Sequence, residues 1–258
     1  MPRHLLPPLL VVLTSTLALS CDQQPTQPTD AAALPGSAAS AQPAASAKAA
    51  SKIPDFHPGD FVRVIDNRYF PLRPGTRFVY QGTEDGEPEK VVTDVTHRHK
   101  TILGVKVVVV LDRVFVSGAL KEKTLDWYAQ DKHGNVWYLG EDSKEYEDGK
   151  VVSTAGSWEA GKDGARAGII MLAHPHVGQT YQQEFASGVA EDRAEVLSLH
   201  ASASVPYGSF SHCLKTAETT PLEPGAKEIK LYCRGIGFVK GDDVSGGTAH
   251  VELTRVIR

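Results

Sequence analysis

The chain is 258 residues long, 41% hydrophobic and 22% charged, with a formal net charge of −4 and three cysteines. Ordinary apolar content excludes a polytopic membrane protein and a wholly disordered chain. Mild acidity, scattered Lys and Arg, and only 7% aromatics argue against nucleic acid as the main partner.

Residues 1–20 open with a basic start, Arg3 and His4, and continue as an almost uncharged apolar stretch from Leu5 to Leu19. That stretch is shorter than the about 20 apolar residues a spanning helix needs. Ending at the small residue Ser20, it reads as a secretory signal peptide. The run Leu17-Ala18-Leu19-Ser20-Cys21 resembles the bacterial lipobox, in which the cysteine is acylated and becomes the mature N-terminus. An ordinary signal peptide followed by a coincidental cysteine is the alternative. The lipoprotein reading is preferred because of what comes next. Asp22 to about Lys52 is Ala, Pro, Ser, Gln and Thr with almost no large apolar residue. Such a segment cannot bury enough surface to offset its ordering entropy and is expected to be disordered. About 30 flexible residues span roughly 30 Å, a length suited to a tether. Two acyl chains of the palmitate class on Cys21, plus a third on its amine in many bacteria, would anchor it stably. The expected location is the bacterial cell envelope, on the inner or outer membrane, with the domain in the periplasm or at the cell surface.

From residue 54 to 258 short runs rich in Val, Thr, Tyr and Phe alternate with glycine turns. The runs are Val105–Val116, Leu125–Gln130, Val136–Leu139, Glu184–Leu199, Ile229–Cys233 and His250–Val256. The turns include Ser117-Gly118, His133-Gly134-Asn135, Asp148-Gly149 and Glu223-Pro224-Gly225. This pattern predicts an all-β domain of curved antiparallel sheet, and no long stretch has a helical apolar period. A faint internal repeat organises the strands. Leu72–Phe78 is similar to Pro175–Tyr181, Ile102–Val105 to Pro206–Ser209, and Asp126–Ala129 to Lys230–Cys233, in the same order. Two tandem β-meanders follow, about 65–140 and 172–258, joined edge to edge or face to face, with 141–171 as the connector.

With Cys21 taken by the anchor, Cys213 and Cys233 remain, on the two arms of a hairpin whose turn is Pro221 to Ala226. Glu223 is midway between them, so the two should face each other. A non-hydrogen-bonded antiparallel pair brings Cα atoms to about 4.5 Å, within disulfide range. An oxidising envelope compartment would join them; a metal pair or free thiols are the alternatives.

The string Val205-Pro206-Tyr207-Gly208-Ser209-Phe210, followed by Tyr232-Cys233-Arg234-Gly235-Ile236-Gly237-Phe238-Val239, resembles a pattern in uncharacterised bacterial envelope lipoproteins. Asn67–Thr76 and Trp127–Tyr138 are similar to them too, so the resemblance covers most of Ile65 to Val256. It implies a curved all-β fold and carries no activity or site to transfer.

Candidate chemistry is sparse. Glu141, Asp142, Glu145, Glu147 and Asp148 cluster around a turn and read as a solvated edge, without the ligand spacing of a Ca²⁺ loop. His97 and His99 are two apart on a strand, sharing a face with Val91 and Val95. His174 and His176 repeat that spacing in a loop. If the pairs meet, four imidazoles could hold Zn²⁺ or Cu²⁺. No serine-nucleophile elbow, zinc-protease motif or phosphate loop is present. Trp127, Trp137 and Trp158 are the candidate contacts for a ligand, although core packing competes as an explanation for Trp158. The expected function is a non-catalytic envelope module, without cofactor, binding a lipid-like or other small ligand or a protein partner. The alternative is a periplasmic metal-binding protein using the paired histidines.

Overall fold

The computed structural model describes residues 54–258; residues 1–53, with the expected signal peptide, lipidated Cys21 and tether, lie outside the described residues. Apart from one 3-10 turn at Pro58–Asp60, every regular element described is a β-strand. The first part of the chain gives β1 (Phe61–Val62), β2 (Arg77–Glu84), β3 (Glu87–Ile102), β4 (Val105–Val116), β5 (Ala119–Asp131) and β6 (Val136–Glu147). Next come β7 (Lys150–Ser153), β8 (Trp158–Glu159), β9 (Arg166–Met171), β10 (Thr180–Gln182) and β11 (Glu184–Phe185). The last are β12 (Arg193–Val205), β13 (Gly208–Thr219), β14 (Lys227–Cys233), β15 (Gly237–Ser245) and β16 (His250–Ile257).

Local chemistry accounts for the hairpins. Asp85-Gly86, Leu103-Gly104, Ser117-Gly118 and Asp148-Gly149 each join two strands through two residues at positive φ. That backbone has the twist antiparallel strands require. The result is two antiparallel meanders, β2–β6 and β12–β15, in which Val105 opens β4 and Gly208 opens β13. They join edge to edge through β16, which pairs with β15 on one side and β2 on the other.

Two sequence expectations need correction. The connector 141–171 is itself sheet: β6 runs on to Glu147, and β7, β8 and β9 all pair with it. The single strand expected over Glu184–Leu199 is broken, because the chain turns tightly at Ser187-Gly188 and Ala186 bridges Ala190. That break closes the fold. β10 pairs with β12 at one end of the sheet, while β11, one residue later, pairs with β9 at the other. The sheet therefore returns on itself through Gln183. At the seam a Cβ on Gly168 would collide with the Gln183 carbonyl, so only glycine lets β9 and β11 approach.

The segment before β2 stoppers one end of this nearly closed sheet. The Gln130 Oε1 accepts the Asp66 and Asn67 amides at 2.9 and 2.8 Å, and Asn67 Nδ2 donates to the Gly134 carbonyl at 2.8 Å. Across the opening, the Gly235 amide donates to the Arg68 carbonyl at 2.8 Å. Between these attachments Tyr69 and Phe70 are buried, and the Phe70 ring lies 5.4 Å from Tyr128 and 6.3 Å from Tyr232. The stopper is an aromatic wedge tied to both meanders.

Candidate ligand-binding site

Strand register sorts the interior into two halves. Toward the stoppered end the inward positions are apolar or aromatic: Val95 faces Val110, Val108 faces Tyr128, and Tyr128 stacks on Tyr138 with centroids 4.7 Å apart. Toward the hairpin end the same inward rows carry acids. Asp112 pairs with Thr124, Val114 with Glu122, and Glu218 with Glu228. Glu84, Glu89, Asp126, Glu141, Glu184 and Asp192 are buried as well. Among the described residues one fully buried cation sits with them: Lys230 Nζ lies 2.9 Å from Glu218 and 3.1 Å from Glu228.

Glu141 contradicts the expected solvated edge. A bulge at Gly140 (φ 129°) lets β8 lie against β6, and Glu141 turns inward opposite Trp158. A Cβ at Gly140 would strike the Trp158 backbone carbonyl. Trp158 is consequently buried, edge-on to Tyr138 at 5.5 Å, with its Nε1 lacking a hydrogen-bond partner among the described residues.

Lost hydration dominates the electrostatics of this half. Burial pushes Glu84 up to about 8, Glu89 to about 7, Asp112 to about 8 and Glu122 to about 7. Burial also raises Asp126, Glu141, Glu184 and Asp192 well above the ordinary carboxylate range. Mutual repulsion adds to the effect: Glu89 raises Glu84, and Asp192 raises Glu184. Both oxygens of Glu89 and of Glu184 are buried without a hydrogen-bond partner among the described residues. Near neutral pH such an interior holds protons that solvated acids would have released. The acids were readable in principle, because Asp112 has the same strand parity as the inward Val108, Val110 and Val114. Assuming apolar-in, polar-out alternation hid them.

Two cavities differ in kind. The first, about 30 Å³, lies behind the stopper between Phe70, Phe78, Tyr80 and Phe238. It is of water-molecule size, far too small for an acyl chain. The second, about 490 Å³, lies on the outer face of β10, β12 and β13, lined by Thr180, Gln182, Arg193, Glu195, Thr219 and Lys227 among others. Register explains the grouping: Thr180, Glu195 and Ala217 form one cross-strand row, and Gln182, Arg193 and Thr219 the next. Lys227 enters from the adjoining strand start. Gln182 Nε2 is buried there without a hydrogen-bond partner among the described residues. Two cations against one carboxylate, Glu195, with two hydroxyls and an amide donor suit a ligand rich in hydrogen-bond acceptors that also offers a donor to Glu195.

The residues singled out from sequence are dispersed. Trp127 faces outward beneath Lys100, whose Nζ is 3.3 Å from the ring centroid. Trp137 donates Nε1–H to Asp131 at 2.9 Å and is covered by Phe56 and Phe61. None of Trp127, Trp137 and Trp158 lines either cavity. His97, His99, His174 and His176 are all exposed. A register irregularity between Val95 and His99 interrupts the alternation that would have put His97 and His99 beside Val91 and Val95. Among the described residues no group of three or more His, Cys, Asp or Glu side chains could hold a metal ion, so the four histidines do not form one centre. Cys213 and Cys233 are joined in a disulfide with Cα atoms 4.3 Å apart.

Sequence reasoning missed another pair. His200 and His212, on β12 and β13, bring their Nδ1 atoms to 3.3 Å.

No family model matches the chain, and no curated protein matches it. A solved structure that is similar is a crystal structure of a Parabacteroides distasonis ATCC 8503 protein provisionally described as a lipoprotein. It shares 13% identity, with 74% of this chain and 99% of that chain covered and a TM-score of 0.42.

Proposed function

We propose that this protein is a lipid-anchored component of the bacterial envelope whose β-domain binds a small ligand and does not catalyse. The anchor rests on the apolar run ending at Ser20, on Cys21 after it and on the low-complexity segment 22–52. Binding rests on one observation above the others. The cavity of about 490 Å³ brings Arg193, Lys227 and the Gln182 amide, which has no hydrogen-bond partner among the described residues, to one outer face of the sheet beside Glu195. Its chemistry narrows the ligand from the lipid-like class to a small molecule bearing carboxylate or phosphate together with hydroxyl groups. Arg supplies a planar fork for such a group and Lys a point charge. Glu159, next to Trp158 in the chain, is held by Lys100 at 2.8 Å and Lys162 at 2.9 Å, an arrangement suited to structure.

Native mass spectrometry of the full chain in detergent tests this reading. It should show an added small acidic molecule, absent from an Arg193→Glu/Lys227→Glu variant of unchanged thermal stability, and Cys21→Ser should leave an unprocessed or soluble protein. Robust turnover of an ester, glycoside or phosphate substrate, lost in Glu159→Gln or His174→Ala, would place the protein among enzymes instead.

A further inference from the structure

We infer that His200 and His212 form a chelating site for a divalent transition-metal ion of the imidazole-preferring class, Zn²⁺ or Cu²⁺. Two bulges create the site. Between the pairs Ser198–Lys215 and Ala201–Cys213, Leu199 and His200 on β12 stand against Leu214 alone. Between Ala201–Cys213 and Ala203–Phe210, Ser211 and His212 on β13 stand against Ser202 alone. Each bulge re-aims one histidine, and the two side chains meet across the strands with Nδ1 atoms 3.3 Å apart and ring planes at 79°.

That separation has a chemical meaning. Two imidazole nitrogens each about 2.0–2.1 Å from a tetrahedral ion stand about 3.3 Å apart. Without a metal, one Nδ1–H donates to the other Nδ1 across the same two bulges. His212 has φ 55° and is the one non-glycine residue inside a described strand in the left-handed region, so the backbone holds this pairing at a conformational cost. Its position is also held from the side. Cys213, the next residue, is tied to β14 through Cys233, which fixes the register of the bulged strand.

Both rings are exposed, so water would complete the coordination. A structural zinc site is closed by four protein ligands, whereas one with open positions exchanges its ion or accepts a further ligand. The chemistry predicted is therefore reversible capture, with Cu²⁺ held more tightly than Zn²⁺ as the Irving–Williams order requires. Each ring, coordinating through Nδ1, then carries its proton on Nε2.

The test uses the full chain without a histidine tag, in detergent, stripped with EDTA and titrated with Zn²⁺ or Cu²⁺ alone by calorimetry. One ion per chain is expected, with affinity falling about tenfold or more in His200→Gln and in His212→Asn. Asn is chosen at 212 because it tolerates the left-handed backbone. Near-UV circular dichroism checks that the fold survives. Electron paramagnetic resonance of the Cu²⁺ complex should show two equatorial imidazole nitrogens, and a His97→Gln/His99→Gln/His174→Gln/His176→Gln variant should bind as the wild type does. Undiminished binding in the His200→Gln/His212→Asn double variant overturns the proposal, as does loss of binding confined to the four-histidine variant.

Discussion

Lys230 Nζ lies 2.9 Å from Glu218, and both side chains are almost wholly removed from solvent. Glu228 completes an ion triad at 3.1 Å, while the hydroxyls of Thr216 and Tyr232 donate to Glu218 at 3.0 and 3.1 Å. All these residues lie on inward rows of β13 and β14, so the triad belongs to the interior of the second meander.

Removing its cation leaves two buried carboxylates facing each other. Lys230→Met should destabilise the domain by about 3–5 kcal/mol, read as a lower denaturant midpoint. Replacing the whole triad, Lys230→Met with Glu218→Leu and Glu228→Leu, should restore most of that loss. The desolvation cost disappears together with the Coulomb gain. A Lys230→Met variant as stable as wild type would show that the buried acids are already neutral and need no counter-charge.

The acid half should make the domain less stable as pH rises. Burial raises Glu84 and Asp112 to about 8, and Glu89 and Glu122 to about 7. The folded state therefore binds more protons than the unfolded state above about pH 4.5. Their contribution is fully present below that pH and is lost as pH climbs through 7 to 8. Tm should fall between pH 5 and pH 8.5, and Glu89→Gln should raise Tm at pH 8.5 relative to wild type while leaving pH 5 little changed. A Tm that is flat or rising over that interval contradicts the expected protonation.

The disulfide spans a loop of 20 residues from Cys213 to Cys233. On the chain-entropy model such a loop contributes roughly 3 kcal/mol. Cys213→Ala/Cys233→Ala should lower stability by about that amount in chemical denaturation. Alkylation of the non-reduced wild-type protein should modify neither cysteine; modification of both would show the bond absent from the native protein.

Local features are legible in the amino-acid sequence itself. Cys213 and Cys233 can be paired because a single hairpin turn sets their register, and Glu223 at its centre locates both arms. The strands announce themselves through Val, Thr and Tyr runs between glycine turns. Asp148-Gly149 and Ser117-Gly118 carry the left-handed backbone of tight hairpins on their own. The remaining features depend on residues distant in sequence. Closure requires the six residues from Thr180 to Phe185 to pair with β12 on one side and β9 on the other, and no local pattern encodes that double use. Glu141 and Asp112 look like surface acids in any short window. They are interior only because the sheet curls until its inner face is enclosed. Trp127 and Trp137 could equally have lined a pocket, but Lys100 in one case and Phe56 with Phe61 in the other come from distant segments to cover them. His200 and His212 meet because two bulges on neighbouring strands turn them together. Hairpin register and strand propensity are short-range properties of the chain, while burial, pairing across a seam and convergence of side chains arise only when the whole sheet has closed.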